Sequence, residues 1–133
     1  MKPNTNQIPS KNNHEYQNWI KQNVIPHKIQ GYSIVQISLK ATKKPPGDAT
    51  SKQMLALADM SDKFSFSEIR VTHEQNLVLP HVSNKDLFNL WNELKVQNLA
   101  TPNLGLITDT ICCPGMDYCA LATARSIPIS QKI

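Results

Sequence analysis

Apolar positions follow two different periods along this chain, and each change of period marks a new element. Tyr16, Trp19, Ile20 and Val24 recur three or four apart, which predicts a short amphipathic helix over residues 15–24 that Pro26 would stop. From residue 32 to 39 the period falls to two, with Val35, Ile37 and Leu39 on one face and Gln36 and Ser38 on the other, the pattern of a half-buried strand. Lys43, Lys44, Pro45, Pro46, Gly47 and Asp48 then supply turn chemistry. Thr50, with Gln53 three residues later, predicts a helix opened by a capping box, its buried face lined by Met54, Leu57, Ala58 and Ser61.

Ile69 and Val71 alternate with Glu68 and Arg70 over residues 67–72, and residues 76–79 give a second strand that Pro80 is expected to end. The two would pair across residues 73–75. Ser83 is the expected N-cap of a strong helix, because Leu87, Leu90, Trp91 and Leu94 form a continuous apolar stripe. Beyond Pro102 come a short apolar run at 104–107, three cysteines, and a helix expected over 117–125 that stops before Pro128. Residues 1–13 are polar and aperiodic, and are expected to be a disordered leader with folding beginning near His14. The order predicts an α+β fold, an antiparallel sheet with helices on one face.

Length and composition narrow this picture. A chain of 133 residues with 40% hydrophobic and 18% charged residues suits one globular unit with tails. No apolar run approaches the roughly 20 residues that span a bilayer, and there is no secretory core, so a cytoplasmic chain without membrane contact is expected. The net charge of +4 is spread among interrupted lysines, without an arginine-rich helix, which predicts solvated lysines and no nucleic-acid partner. Lys40 falls in that class, with contact to an anionic substrate the rarer reading. His73 and His81 lack a third ligand at metal spacing and are expected at the surface, while Trp19 and Trp91 sit on apolar faces as core anchors.

Cys112, Cys113 and Cys119 all fall within eight consecutive residues, which points to metal or redox chemistry rather than to a disulfide framework. Cys113 and Cys119 are spaced C-x5-C across a Pro114-Gly115 turn, and soft thiolates suit iron-sulfur clusters. A helix starting near Asp117 would offer unpaired amide donors to a negatively charged cluster. Buried structural cysteines are the commoner reading of a bare C-x5-C spacing.

The surrounding run NLGLITDTICCPGMDYCALATARSIPISQ closely resembles the cluster-ligand segment of the sirohaem-dependent nitrite and sulfite reductases. GYSIVQISLK, PGDATSKQM, EIRVTHEQNLVLP and LWNEL resemble the ferredoxin-like half domain that this family carries twice. The resemblance implies a half domain over residues 14–100 and the truncated start of a sirohaem and 4Fe-4S domain over 101–133. In the family, C-x5-C and a later C-x3-C bind the cluster, and one cysteine of the second pair bridges to the sirohaem iron. Cys113 and Cys119 fall on the first pair, no cysteine follows Cys119, and Cys112 is expected as a small buried neighbour.

The resemblance further implies that Arg70, Thr72, Gln75 and Asn76 face the cofactor, since the carboxylates of a tetrapyrrole need charge-assisted donors; a polar hairpin turn is an equal reading. Arg125 would point at the cluster or cofactor edge, unless it is simply exposed. The implied function is that of a fragment or subunit of an oxidoreductase that reduces sulfite to sulfide or nitrite to ammonia by six electrons. CPGMDYCALATARSIP leans towards a bacterial sulfite reductase haemoprotein without deciding the substrate. The implied partners are the remainder of the reductase, or a complementary subunit, and an electron donor protein. Alone, the chain is expected to be inactive and to hold no cofactor, with the cysteine loop poorly ordered and Leu121, Ile127 and Ile129 exposed. The alternative is a non-catalytic half domain that binds or braces another chain.

Overall fold

The first two helices in the computed structural model, which describes residues 13–133, begin where a side chain offers their free amides a partner. The leader expected over 1–13 lies outside the described residues, except Asn13, whose side-chain oxygen accepts from the Glu15 amide at 2.9 Å and caps α1 (His14–Asn23). Thr50 and Gln53 form the expected reciprocal capping box at the start of α2 (Ser51–Phe64), with bonds of 3.1 and 3.0 Å. The buried face of α2 is Gln53, Leu57, Met60, Ser61 and Phe64, while Met54 and Ala58 are exposed. The helix is long enough for Met60 and Phe64 to anchor its far end, and this rotates the buried stripe away from Met54 and Ala58.

The sheet is antiparallel, ordered β1 (Val24–Pro26), β2 (Tyr32–Ile37), β4 (Leu77–Ser83), β3 (Arg70–Val71). At three residues, β1 is too short to show a period and was not expected. Within β2 the alternation holds, with Ser33, Val35 and Ile37 buried. Pro80 does not end β4. Ser33 pairs with Val82 and Val35 with Leu79, so β4 carries one extra residue between these pairs, and Pro80 lies in that bulge. The bulge also switches the face parity, since Leu77 and Leu79 are buried before it and Val82 after it. β3 shrinks to two residues because Phe66 and Ser67 both take positive φ at the exit of α2, and Val71 on this edge is 80% exposed.

Ser83 ends β4 and makes no side-chain cap, contrary to expectation; a 3-10 turn over Asn84–Asp86 leads into α3 (Leu87–Val96) instead. The stripe of Leu87, Leu90, Trp91 and Leu94 is buried as the sequence predicts. Side chains from α1, α2 and α3 meet Val35, Ile37, Leu77, Leu79 and Val82 in one core, so the helices cover one sheet face. Trp19 and Trp91 are fully buried there, and the Tyr16 ring packs edge-on to Trp91 at 5.3 Å. No helix among the described residues is long and apolar enough to cross a membrane.

Candidate functional site

The hairpin turn between β3 and β4 is the anchor for everything that follows α3. Thr72 closes the turn, its Oγ1 accepting from the amides of Asn76 at 3.2 Å and Glu74 at 3.3 Å. Asn76 is fully buried; its Oδ1 accepts from the Leu39 amide at 3.0 Å, taking over where β2 stops, and its Nδ2 donates to Asp109 Oδ1 at 2.8 Å. Gln75, at φ 60°, accepts from the Cys112 amide through Oε1 and donates to the Cys112 carbonyl through Nε2, each at 2.8 Å.

Lys40 is not a solvated lysine. Its ammonium donates to Asp109 Oδ1 at 2.8 Å, to the Asp109 carbonyl at 3.2 Å and to the Glu74 carbonyl, and the two charged side chains are 2% and 5% exposed. Burial pushes the Asp109 carboxyl up, but hydrogen bonds from Lys40, Asn76 and the Gly105 amide together outweigh it and hold the group below its ordinary value. Asn103 adds a bond from Nδ2 to the Lys40 carbonyl at 3.1 Å. Residues 101–112 are thereby fastened to the end of β2 and to the hairpin turn. Nothing in the local sequence around Lys40 or Asp109 marks this pairing, which joins positions 69 residues apart.

The cysteine segment closes on itself. The helix expected over 117–125 does not form: a single 3-10 turn spans Gly115–Asp117, and the Tyr118 and Cys119 amides both donate to the Gly115 carbonyl, at 3.2 and 2.8 Å. The amides expected to face a cluster from a helix terminus are spent there. Met116 N donates to the Ala124 carbonyl at 3.0 Å and Ser126 Oγ to the Cys113 carbonyl at 2.8 Å, which ties the two ends together. Gly115 has φ +61°, and a Cβ there would lie 2.5 Å from Ser126 Oγ. Pro128 falls in the first turn of α4 (Ile127–Ser130), where its missing amide costs nothing, so it starts a helix rather than stopping one.

All three cysteines are free thiols: Cys112 is buried, Cys113 exposed and Cys119 half-buried. Cys113 and Cys119 therefore fit as metal donors, since neither is spent on a disulfide or enclosed in the core. Among the described residues no group of three or more His, Cys, Asp or Glu side chains could hold a metal, so the loop offers two thiols without closing a site around them. Tyr118, Met116, Ile111 and Ile129 are exposed near it and Leu121 is 93% exposed; Ile127 is half-buried.

The two arginines each face a carboxylate at the surface. Arg70 donates from Nε to Glu68 at 2.6 Å with its side chain 62% exposed, and Arg125 lies 3.6 Å from Asp117 with its side chain 70% exposed. His73 is exposed, as expected; His81 is not a lone surface residue. It bonds Glu68 through Nε2 at 2.9 Å and the His27 ring through Nδ1 at 3.0 Å. The hydrogen bond from Arg70 leads the groups that hold the Glu68 carboxyl below its ordinary value.

Residues 28–97 match the family model of the nitrite/sulfite reductase ferredoxin-like half domain. The chloroplastic ferredoxin–nitrite reductase of Zea mays is 32% identical over 116 residues, covering 83% of this chain and 20% of its own length. That of Spinacia oleracea is 30% identical, with 83% and 18% covered. The ferredoxin–nitrite reductase of Synechococcus elongatus is 28% identical over 126 residues, with 90% and 24% covered. The chain thus spans about a fifth of the length of these curated relatives.

Proposed function

The chain belongs to the nitrite/sulfite reductase family through its ferredoxin-like half domain, and we propose that it is one part of a sirohaem and 4Fe-4S reductase acting on nitrite or sulfite. In this reading residues 14–100 are the half domain, and residues 101–133 begin the cluster-binding part. The observation that carries it is the pair of free thiols, Cys113 exposed and Cys119 half-buried, on a loop fastened to that half domain. They would hold two corners of a cluster whose other two thiolates come from outside these residues. When bound, the cluster and sirohaem supply the electron path and the iron at which the oxyanion is reduced.

What this chain contributes is placement and charge. Gln75, Asn76 and Thr72 hold the turn and the cysteine segment, so the cofactor contacts expected of them pass to the two exposed guanidinium groups. Arg70 and Arg125 can each offer forked donors to tetrapyrrole carboxylates once a neighbouring surface withdraws them from water. The donor is a small redox protein, in keeping with relatives named ferredoxin–nitrite reductases.

Co-expression with the complementary reductase polypeptide and a sirohaem supply tests this. The expected result is cluster and haem absorption with methyl-viologen-linked turnover in the combined protein, and neither in the chain alone. Cys113→Ser and Cys119→Ser should each abolish the cluster absorption. Retention of the cluster in both variants would refute the assignment. Stable association without colour would leave a bracing module as the function.

A further inference from the structure

We infer that Gln75 is a positioning residue that sets where the Cys113 thiol stands, acting through the backbone of Cys112 rather than by touching a cofactor. Its carboxamide meets both polar backbone atoms of Cys112, donor to acceptor and acceptor to donor, each at 2.8 Å, the way a neighbouring strand would. A side chain doing the work of a strand fixes both the height and the rotation of one residue. Cys113 follows directly and inherits that placement.

Three observations make the clasp a built feature. Gln75 takes φ 60°, an unfavourable region for a residue with a Cβ, and this conformation accompanies a side chain directed at Cys112. Gly47, at φ +82°, backs it so closely that a Cβ there would lie 3.1 Å from Gln75 Cβ. The adjacent residue, Asn76, bonds Asp109 on the same segment, so two consecutive residues of one turn grip the chain three residues apart. The chemistry requires a neutral amide. Asparagine is a methylene shorter, and an ionised carboxylate would set oxygen against the Cys112 carbonyl.

This assignment deepens the proposed cluster role of Cys113, but its test needs no cluster, so either can fail without the other. In a Cys119→Ser background of the full chain, a nitroxide is attached to exposed Cys113 while buried Cys112 stays unlabelled, and its spectrum is read at about pH 7 and about pH 4, the first well above and the second just below the ordinary glutamate value of about 4.3. With Gln75 present the label should be restrained at both. Gln75→Gly, which removes the clasp and relieves the positive φ, should give a mobile label at both, and exchange of the Cys112 amide should quicken about tenfold or more.

Gln75→Glu supplies the readout that a merely structural role would not move. Its carboxyl should leave the label mobile at about pH 7, where it is ionised, and restrained at about pH 4, where protonation returns a donor and an acceptor to the fork. Asp48, Glu74, Asp109 and Asp117 are acidic groups on the surrounding turns, with Lys40 and Arg125 the cations paired to them, and the protein with Gln75 retained, at the same two values, isolates their contribution. A restrained label in Gln75→Gly, or no pH response in Gln75→Glu, would overturn the assignment.

Discussion

Lys40 and Asp109 form a buried ion pair at 2.8 Å that joins the end of β2 to the segment leading into the cysteines. Removing one partner leaves the other charge stranded away from water, and that stranding dominates the cost. Lys40→Met should lower stability by about 3 kcal/mol, whereas Lys40→Met with Asp109→Leu should recover much of the loss. Urea unfolding of the three proteins measures both.

The same pair sets a response to acid. Because the folded protein holds the Asp109 carboxyl below its ordinary value, the unfolded chain takes up this proton first as pH falls. The stabilisation is therefore complete above about pH 4, the usual range for an unfolded Asp, and is lost as pH drops through the lower folded value. Asp109→Asn should flatten that part of the stability profile, which thermal melts between pH 2 and pH 5, roughly bracketing the carboxyl range, would reveal.

Gly115→Ala should open the cysteine loop and spare the half domain. The new methyl meets the Ser126 hydroxyl and the Ala124 carbonyl in a left-handed conformation that alone costs about 1 kcal/mol. Limited proteolysis should cut between residues 113 and 126 much faster than in the parent, with the main melting transition unmoved. A common drop in both would mean that loop and core unfold together.

Thiol labelling under native conditions should rank the cysteines by burial: Cys113 fastest, Cys119 slower, Cys112 slowest. Peptide mapping after a short pulse of an alkylating reagent reads this directly. Equal and slow modification of all three would place the loop inside the core.

The half domain was legible where a single element carried its own signal. The Thr50 and Gln53 capping box, the Leu87-Leu90-Trp91-Leu94 stripe and the alternation about Val35 and Ile37 depend on neighbours within a turn or on the two-residue pleat, and each appears where the pattern puts it. The family matched over residues 28–97 is the one that its local strings resemble. By contrast, what decided Pro80, Lys40 and the stretch after Cys119 lies far along the chain. Pro80 stays in its strand because the register of β2 against β4 admits a bulge there. Lys40 is buried because Asp109, Asn103 and the Glu74 carbonyl converge on it, and a lysine's sequence neighbours carry no record of such partners. The expected helix over 117–125 gives way because the Met116 amide bonds the Ala124 carbonyl across the loop. Periodicity reports which face a residue turns towards the core, and only the assembled fold determines which distant polar groups will meet it there.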